Sequence, residues 1–400
     1  MTTRGRVAVF GAGLLALAIQ ASASEISWTF QRVEQGNPGP SPMISLGMRT
    51  GATWPTVFYE PSSSPISLVA SSLTPVGWAK STLDTLSSPS YVRSAAGTDG
   101  RLGAAWQYGQ SGPAIKFGQL TSAGWQYSTV ATLNSQPSSS GTNAPDVAYL
   151  PGNRPVVAYA DPSGSKIKVA VQNAQGWETE AVSYPTGGPP NGTFVSTAVN
   201  TQGDIGVAYC TGSNVIYAQK SLPGGTWSYV DLGTGFPGVR NVSLAYGPHD
   251  EAGMAVLYAN GSLAYAHFDI QAGGWRSEVL VPSGVASPRV ELVFDGAGHP
   301  ALSYVAAKEL AGVHYQTNDG NGWLDVALPT GIDPVSNLNV TPILGSDAAL
   351  ALDREGVPVI SYYTQSGLVL AYDPVVTPEP ATLLAVTAGV ALISRRRRRA

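Results

Sequence analysis

The segment Ile26-Ser27-Trp28-Thr29-Phe30-Gln31-Arg32-Val33 is a tryptophan-bearing strand with no partner strand close to it in the sequence. At the other end of the chain, Leu368-Val369-Leu370-Ala371-Tyr372 closes a unit that has three predicted strands and lacks a tryptophan strand. Together the two pieces make one complete unit. Pairing them would close a ring and would remove a sheet edge that otherwise invites aggregation.

Between these ends the sequence repeats. Tryptophans recur at intervals of 47 to 52 residues, at Trp28, Trp78, Trp125, Trp177, Trp227, Trp275 and Trp323. About twenty residues before each later tryptophan lies a short β-rich stretch that ends in an aromatic residue, such as Val156-Val157-Ala158-Tyr159. Four strands in nearly 50 residues are typical of a propeller blade. The sequence therefore predicts an all-β, seven-bladed β-propeller over residues 24–374, whose last blade is closed by the N-terminal strand. A β-solenoid or two β-sandwiches are the alternatives, but neither explains the complementary ends.

The composition agrees with many short strands and tight turns. The chain has 46 glycines and 30 prolines, while charged residues are only 12% of it. The single cysteine, Cys210, excludes an intramolecular disulfide. Without the seven arginines and one glutamate of its two end segments, the chain has a net charge of −10. This acidic balance argues against nucleic acid or anionic lipid as a partner.

Both ends of the chain read as export signals. Residues 1–23 have a basic start, an apolar run and a small-residue cleavage site at Ala21-Ser22-Ala23, so we expect signal peptidase to cut after Ala23. Residues 375–400 contain Pro378-Glu379-Pro380, an apolar run of 13 residues that predicts a hydrophobic helix, and five arginines. Such a helix covers about 20 Å, less than the roughly 30 Å of a bilayer core. We interpret it as a short transmembrane helix for transient membrane attachment whose arginines stay cytoplasmic. A buried C-terminal helix and a GPI signal fit poorly, because neither ends in five arginines.

The tail resembles the PEP-CTERM sorting signal of Gram-negative bacteria in its Pro378-Glu379-Pro380 motif, its apolar run and its arginine cluster. The resemblance covers about the last 24 residues. It implies processing near the motif by an exosortase, and an outer-surface or extracellular location in the cell envelope. It says nothing about what the exported body binds.

The sequence contains no recognisable catalytic or metal-binding motif. The four histidines, His249, His267, His299 and His314, lack paired ligand spacing, and no G-x-S-x-G elbow occurs. No metal or cofactor is therefore predicted. The repeats resemble sialidase-like seven-bladed propellers in layout, but the arginines of the body are few and scattered and the Asp-box pattern is absent. Asp99, Asp295 and Asp353 precede glycines, and we interpret them as turn-forming residues.

Aromatic residues and loops supply the remaining candidates. Tryptophans at a fixed position in every blade favour packing between blades over sugar stacking, and Trp54 lies outside that register. The loops between second and third strands vary from blade to blade, which favours them as a ligand-binding face. The speculative ligand-binding residues in these loops are Glu60, Tyr108, Asp161, Asn260, Glu309 and Tyr363.

Two functions remain open at this point. The preferred one is an exported, envelope-sorted propeller that acts as a non-catalytic binding or structural module, for an extracellular polysaccharide or a surface protein. The alternative is a hydrolase or lyase acting on glycans, with a site assembled from several blades on one propeller face.

Overall fold

The computed structural model describes thirteen stretches of the chain. These are residues 26–36, 43–49, 54–61, 67–85, 91–108, 113–134, 144–161, 166–182, 194–211, 214–222, 224–233, 238–307 and 311–373. The predicted signal peptide with Ala23 and the predicted tail with Pro378, Glu379 and Pro380 lie outside the described residues, as does the predicted C-terminal helix. Within the described residues no helix is long and apolar enough to cross a membrane.

The described residues form 28 strands. Strand β1 is Thr29–Glu34. Blades 1 to 3 contain β2 Ile44–Met48, β3 Pro55–Tyr59, β4 Ser67–Thr74, β5 Gly77–Thr85, β6 Val92–Ala96, β7 Leu102–Tyr108, β8 Ala114–Thr121, β9 Gly124–Thr132, β10 Asp146–Leu150, β11 Arg154–Asp161, β12 Lys166–Asn173 and β13 Gly176–Val182. Blades 4 to 7 contain β14 Val195–Val199, β15 Ile205–Thr211, β16 Asn214–Lys220, β17 Ser228–Asp231, β18 Val239–Tyr246, β19 Ala252–Tyr258, β20 Leu263–Asp269, β21 Gly274–Val281, β22 Glu291–Phe294, β23 Pro300–Ala306, β24 Gly312–Asn318, β25 Trp323–Ala327, β26 Ala348–Leu352, β27 Pro358–Thr364 and β28 Gly367–Tyr372.

These strands make seven antiparallel four-stranded sheets. Six blades consist of four consecutive strands, and the seventh has the order β1-β28-β27-β26. In that blade Thr29 pairs with Tyr372 and Gln31 pairs with Leu370. The seven-bladed propeller and its closure by the N-terminal strand are therefore confirmed. The first strands of successive blades contact one another, and β2 contacts β26, so these seven inner strands line a central channel.

Antiparallel pairing defines two rims. The turns between first and second strands and between third and fourth strands lie on one rim, which we call the upper rim. The connections between second and third strands lie on the opposite, lower rim. Because Thr29 and Tyr372 are paired at their upper ends, the chain enters and leaves the ring at the upper rim. The candidate loops therefore lie on the rim opposite the points where the chain enters and leaves the ring.

The upper-rim turns confirm the turn-forming role of the aspartates. The Oδ1 atom of Asp295 accepts hydrogen bonds from the backbone of Ala297 and His299, at 2.9 and 2.8 Å. Asp353 makes the same pair of bonds, and Asp99 accepts from the backbone of Arg101. This geometry needs a left-handed residue at the fourth position, which Gly298 and Gly356 supply with φ of 90° and 82°.

The core is divided among the blade interfaces. Within the described residues, seven clusters of buried apolar side chains are found, each joining neighbouring blades. The aromatic that ends each second strand is buried in every blade; these residues are Tyr59, Trp106, Tyr159, Tyr209, Tyr258, Tyr304 and Tyr362. Cys210 is also buried, as expected for a small residue near a strand end.

Candidate functional site

The structure brings two of the predicted site residues together. Tyr363 at the end of β27 donates its hydroxyl to the backbone carbonyl of Glu60, at 3.1 Å, across the junction of blades 7 and 1. Both residues are at least 98% buried. In this conformation, neither side chain presents much surface to a ligand at the lower rim.

The other predicted residues lie in separate blades. Asp161 pairs with Lys168, at 2.6 Å. The ammonium of Lys116 lies 3.6 Å from the ring centre of Tyr108. Asn260 caps its own turn by accepting from the backbone and hydroxyl of Ser262, at 2.9 and 2.7 Å. Glu309 lies outside the described residues. The structure thus does not gather these side chains into one site, and their role in ligand binding stays a prediction.

A polar ring that the sequence did not reveal lines the lower half of the channel. It consists of equivalent positions near the start of the seven inner strands, namely Ser45, Arg93, Asp146, Ser196, Ser243, Glu291 and Ala349. Five of these side chains accept a hydrogen bond from the backbone of the next blade's inner strand, at 2.8 to 3.1 Å. The exceptions are Arg93 and Ala349, which have no side-chain acceptor. These bonds join neighbouring blades at the edge of each inner strand.

Arg93 instead reaches across the channel. Its Nη1 atom lies 3.1 Å from Oε1 of Glu291, which joins blade 2 to blade 6. Burial opposes the charge of Arg93, but nearby carboxylates, chiefly that of Glu291, outweigh burial and raise the pKa of Arg93. Burial raises the pKa of Glu291, and the two arginines near it offset this only in part.

A second buried arginine ties three blades together. Arg289 donates from Nε to Asp347 Oδ2 and from Nη2 to the carbonyl of Ile44, both at 2.8 Å. Burial lowers the pKa of Arg289, an effect that Asp347 opposes. The arginines that looked scattered along the sequence therefore converge with acidic residues on the channel. Only the pairing of distant blades brings them together, so spacing along the chain gave no signal.

The repeated tryptophans pack between blades, as the sequence favoured. Each of these tryptophans contacts the apolar cluster that its own blade shares with the preceding blade. The rings of Phe117 and Trp177 meet edge to face with centroids 5.4 Å apart, as do Tyr217 and Trp275 at 4.9 Å and Tyr265 and Trp323 at 5.1 Å. Trp54 is also partly buried against a cluster. None of the seven repeated tryptophans is an exposed sugar platform.

Two of the indole nitrogens donate to equivalent positions. Trp177 donates to Ser128 at 3.0 Å and Trp323 donates to Glu278 at 2.7 Å. In both cases the acceptor stands three residues after the tryptophan of the preceding blade. At the equivalent position facing Trp275 stands Val230, which cannot accept, and the Nε1 atom of Trp275 is buried without a partner. Gln31 and Glu180 stand at this position facing Trp78 and Trp227, but the Nε1 atoms of both tryptophans are buried without a partner, so the position alone does not decide the bond.

The interface of blades 3 and 4 departs from the others and holds an open cleft. Facing Trp227 is Val169, where the next two interfaces have Tyr217 and Tyr265. Seven residues connect β16 to β17, whereas two connect the equivalent strands in each of blades 1 to 3. Beside this connection lies a cleft of about 330 Å³. It is lined by Arg154, Val171, Glu178, Glu180, Lys220, Leu222 and Gly224.

The cleft combines charged walls with apolar surface. Lys220 donates to both carboxylate oxygens of Glu180, at 2.7 and 2.6 Å, and so bridges the two blades. Glu178 accepts from Asn173 at 3.3 Å. Two acids and two bases give the lining no net charge, while Val171 and Leu222 add apolar contacts. Donors, acceptors and apolar atoms thus meet in one small, solvent-open space.

Solved structures share this fold. AofleA from Arthrobotrys oligospora is 12% identical, with a TM-score of 0.52, over 76% of this chain and 90% of AofleA. A variant of Aleuria aurantia lectin in complex with α-methyl-L-fucoside is 14% identical, with a TM-score of 0.51, over 74% of this chain and 97% of the lectin. At such low identity the likeness shows the β-propeller fold alone. No family model and no curated protein matches the sequence.

Metal binding finds no geometric support in the described ranges. Within them no group of three or more histidine, cysteine, aspartate or glutamate side chains is placed to hold an ion. The conspicuous polar features are the channel cluster and the cleft between blades 3 and 4. Of these two, the cleft is the one that is open to a ligand.

Proposed function

We propose that this protein is an exported, envelope-sorted β-propeller that binds carbohydrate without changing it chemically. The observation that carries the proposal is the cleft between blades 3 and 4. Its volume lies at the lower end of the range for ligand sites, about 300 to 1,000 Å³, which suits one or two sugar units. The export part rests on the sequence of the two ends, and processing by signal peptidase and an exosortase belongs to it.

The chemistry of the cleft suits a sugar. Carboxylates and cations placed side by side can accept from and donate to neighbouring hydroxyls, and hydrogen bonds to charged groups are stronger than neutral ones. The apolar atoms of Val171 and Leu222 can contact the C–H face of a sugar ring. The lectin named above was solved with a fucoside, so a propeller of this general fold can present a sugar site.

A glycan array probed with the purified protein tests the proposal. We expect binding to a restricted set of glycans, and we expect it to fall at least tenfold in Glu180→Gln and in Lys220→Met. Both substitutions keep most of the side-chain volume, and circular dichroism with a thermal melt checks that the variants fold. Absence of binding to every glycan, confirmed by titration with the same sugars at millimolar concentration, would refute carbohydrate binding.

Glycan hydrolysis is the second candidate, because Glu178 and Glu180 place two carboxylates in one cleft and glycosidases use such pairs. The contact with Lys220 engages both carboxylate oxygens of Glu180, whereas an acid that protonates a glycosidic oxygen must present one of its oxygens to the substrate. Incubating bound glycans with the protein and analysing them by mass spectrometry separates the two functions. New reducing ends that disappear in Glu178→Gln would establish hydrolysis, and unchanged glycans would support binding alone.

A further inference from the structure

We propose that the cleft between blades 3 and 4 is the single saccharide site of the propeller, so that one molecule holds one glycan and cannot cross-link two. This inference rests on the proposed function and adds the number of sites to it. It follows from a comparison of the same two positions at all seven blade interfaces.

The first position is three residues after the tryptophan of one blade. The second pairs with the tryptophan of the next blade, or is the equivalent third-strand position where that tryptophan lies just before its strand, as Trp227 and Trp28 do. In the order of the interfaces the pairs are Ser81 with Leu120, Ser128 with Gln172, Glu180 with Lys220, Val230 with Phe268, Glu278 with Asn318, Val326 with Asp373, and Gln31 with Leu73. Only Glu180 and Lys220 have opposite charges. The motif that builds the charged wall of the cleft therefore occurs once in seven repeats.

The packing beside the repeated tryptophan also differs between the interfaces. The next two interfaces fill the space beside the tryptophan with a tyrosine, and the interface of blades 2 and 3 fills it with Phe117. At the interface of blades 1 and 2, Phe58 from a second strand packs against Trp125 in the same way. At blades 3 and 4 the equivalent residue is the buried Val169, which belongs to the apolar cluster that Trp227 contacts.

A second, smaller cleft lies between blades 4 and 5 and has a volume of about 130 Å³. Its volume is well below the usual range of ligand sites. Its wall includes Val256, Ala264 and Ala266, and the two comparison positions at this interface are the apolar Val230 and Phe268. Arg276, Ser277 and Glu278 add polar groups to its wall, but all three lie on blade 5, so no charge pair spans the two blades there.

Isothermal titration with a monovalent sugar from the array tests the inference. We expect one sugar bound per chain in the parent protein, at least tenfold weaker binding in Glu180→Gln, and unchanged affinity and stoichiometry in Glu278→Gln. The control is matched, because Glu278 occupies the equivalent position in blade 5 and also lines the smaller cleft. Glutamine at this position keeps an acceptor for Trp323.

The possible failures are distinguishable. Two or more sugars per chain, or unchanged affinity in Glu180→Gln, would overturn the single site while leaving carbohydrate binding in place. Loss of binding in Glu278→Gln, with a thermal melt like that of the parent, would place the sugar in the smaller cleft. That result would also overturn the inference of a single site between blades 3 and 4. No binding of any sugar would remove the proposed function itself.

Discussion

The guanidinium of Arg93 in blade 2 and the carboxylate of Glu291 in blade 6 meet across the channel, 3.1 Å apart, with side chains only 9% and 17% exposed. Two intervening blades separate their strands around the shorter side of the ring. The ion pair therefore links two blades that are not neighbours in the ring. Glu291 also accepts a hydrogen bond from the backbone of Leu350 in blade 7.

Glu291→Gln should lower the free energy of unfolding by about 3 kcal/mol, because it leaves a buried guanidinium without its nearest counter-charge. Urea denaturation followed by tryptophan fluorescence measures this. The double variant Arg93→Met with Glu291→Met should recover most of the loss, since buried ion pairs are often replaceable by apolar residues. If the free energy of unfolding of Glu291→Gln lies within about 0.5 kcal/mol of that of the parent, the ion pair adds little to stability.

Gly367→Ala should destabilise the closed ring by more than about 3 kcal/mol. Gly367 has a φ of 113°, and a Cβ there would overlap the backbone carbonyl of Glu34 in the closing strand. Strain in a left-handed region costs about 1 to 3 kcal/mol, and the overlap adds to it. Gly296→Ala is the matched control, because a Cβ at Gly296 meets nothing within 4 Å. Equal melting temperatures for the two variants would contradict this role of Gly367.

Glu34 of the closing strand contacts Lys80 and Tyr59 of blade 1, and this contact predicts that the closed ring loses stability in acid. Burial tends to raise the pKa of Glu34, but hydrogen bonds from Lys80 and Tyr59 outweigh it and lower the pKa below 4.5. The ionised carboxylate therefore favours the folded state above that value, and its contribution is lost as the pH falls through the lower, folded-state pKa. Burial raises the pKa of Tyr59, so its hydroxyl remains a donor throughout this range.

Urea midpoints between pH 6.5 and 3 measure this effect. The parent protein should be more stable than Glu34→Gln at pH 6.5, and the difference should shrink as the pH falls. Glu355→Gln, at a solvent-exposed ion pair on the upper rim, should change stability by less than about 1 kcal/mol. A difference between parent and Glu34→Gln that stays constant with pH would rule out the linkage.

Val230→Glu should stabilise the protein by about 1 kcal/mol, the net value of a typical hydrogen bond. Val230 faces Trp275 at the position where Glu278 faces Trp323, and the Nε1 atom of Trp275 is buried without a partner. Val230 is 41% exposed, so the new carboxylate can stay partly hydrated. Val230→Leu controls for side-chain size. If Val230→Glu lowers the melting temperature relative to Val230→Leu, a carboxylate at this position does not pair with Trp275.

The architecture was accessible from the sequence because a propeller is built from local units. Each blade pairs strands that follow one another along the chain, so the spacing of Trp78, Trp125 and Trp177 already counts the blades. The orphan strand around Trp28 predicted closure, since an incomplete last blade needs one more strand. The aspartates of the upper turns were predicted equally well, because an Asx turn depends on residues within five positions of each other.

The candidate site was less accessible because it depends on contacts between blades. Spacing along the chain does not place Arg93 beside Glu291, which is 198 residues away. Glu60 and Tyr363 were named for their loops, and the structure buries both where blades 1 and 7 meet. The cleft residues Glu180 and Lys220 were overlooked, although an alignment of the repeats would have shown that they break the pattern.

The sequence by itself determined the repeat, the number of blades and the strand that closes the ring, because period, turn chemistry and hydrophobic alternation are local properties. The tertiary structure alone decided where charge is buried and where the packing leaves space. Those outcomes depend on which residues of different blades meet at each interface, as where Lys220 of blade 4 reaches Glu180 of blade 3 at the wall of the cleft.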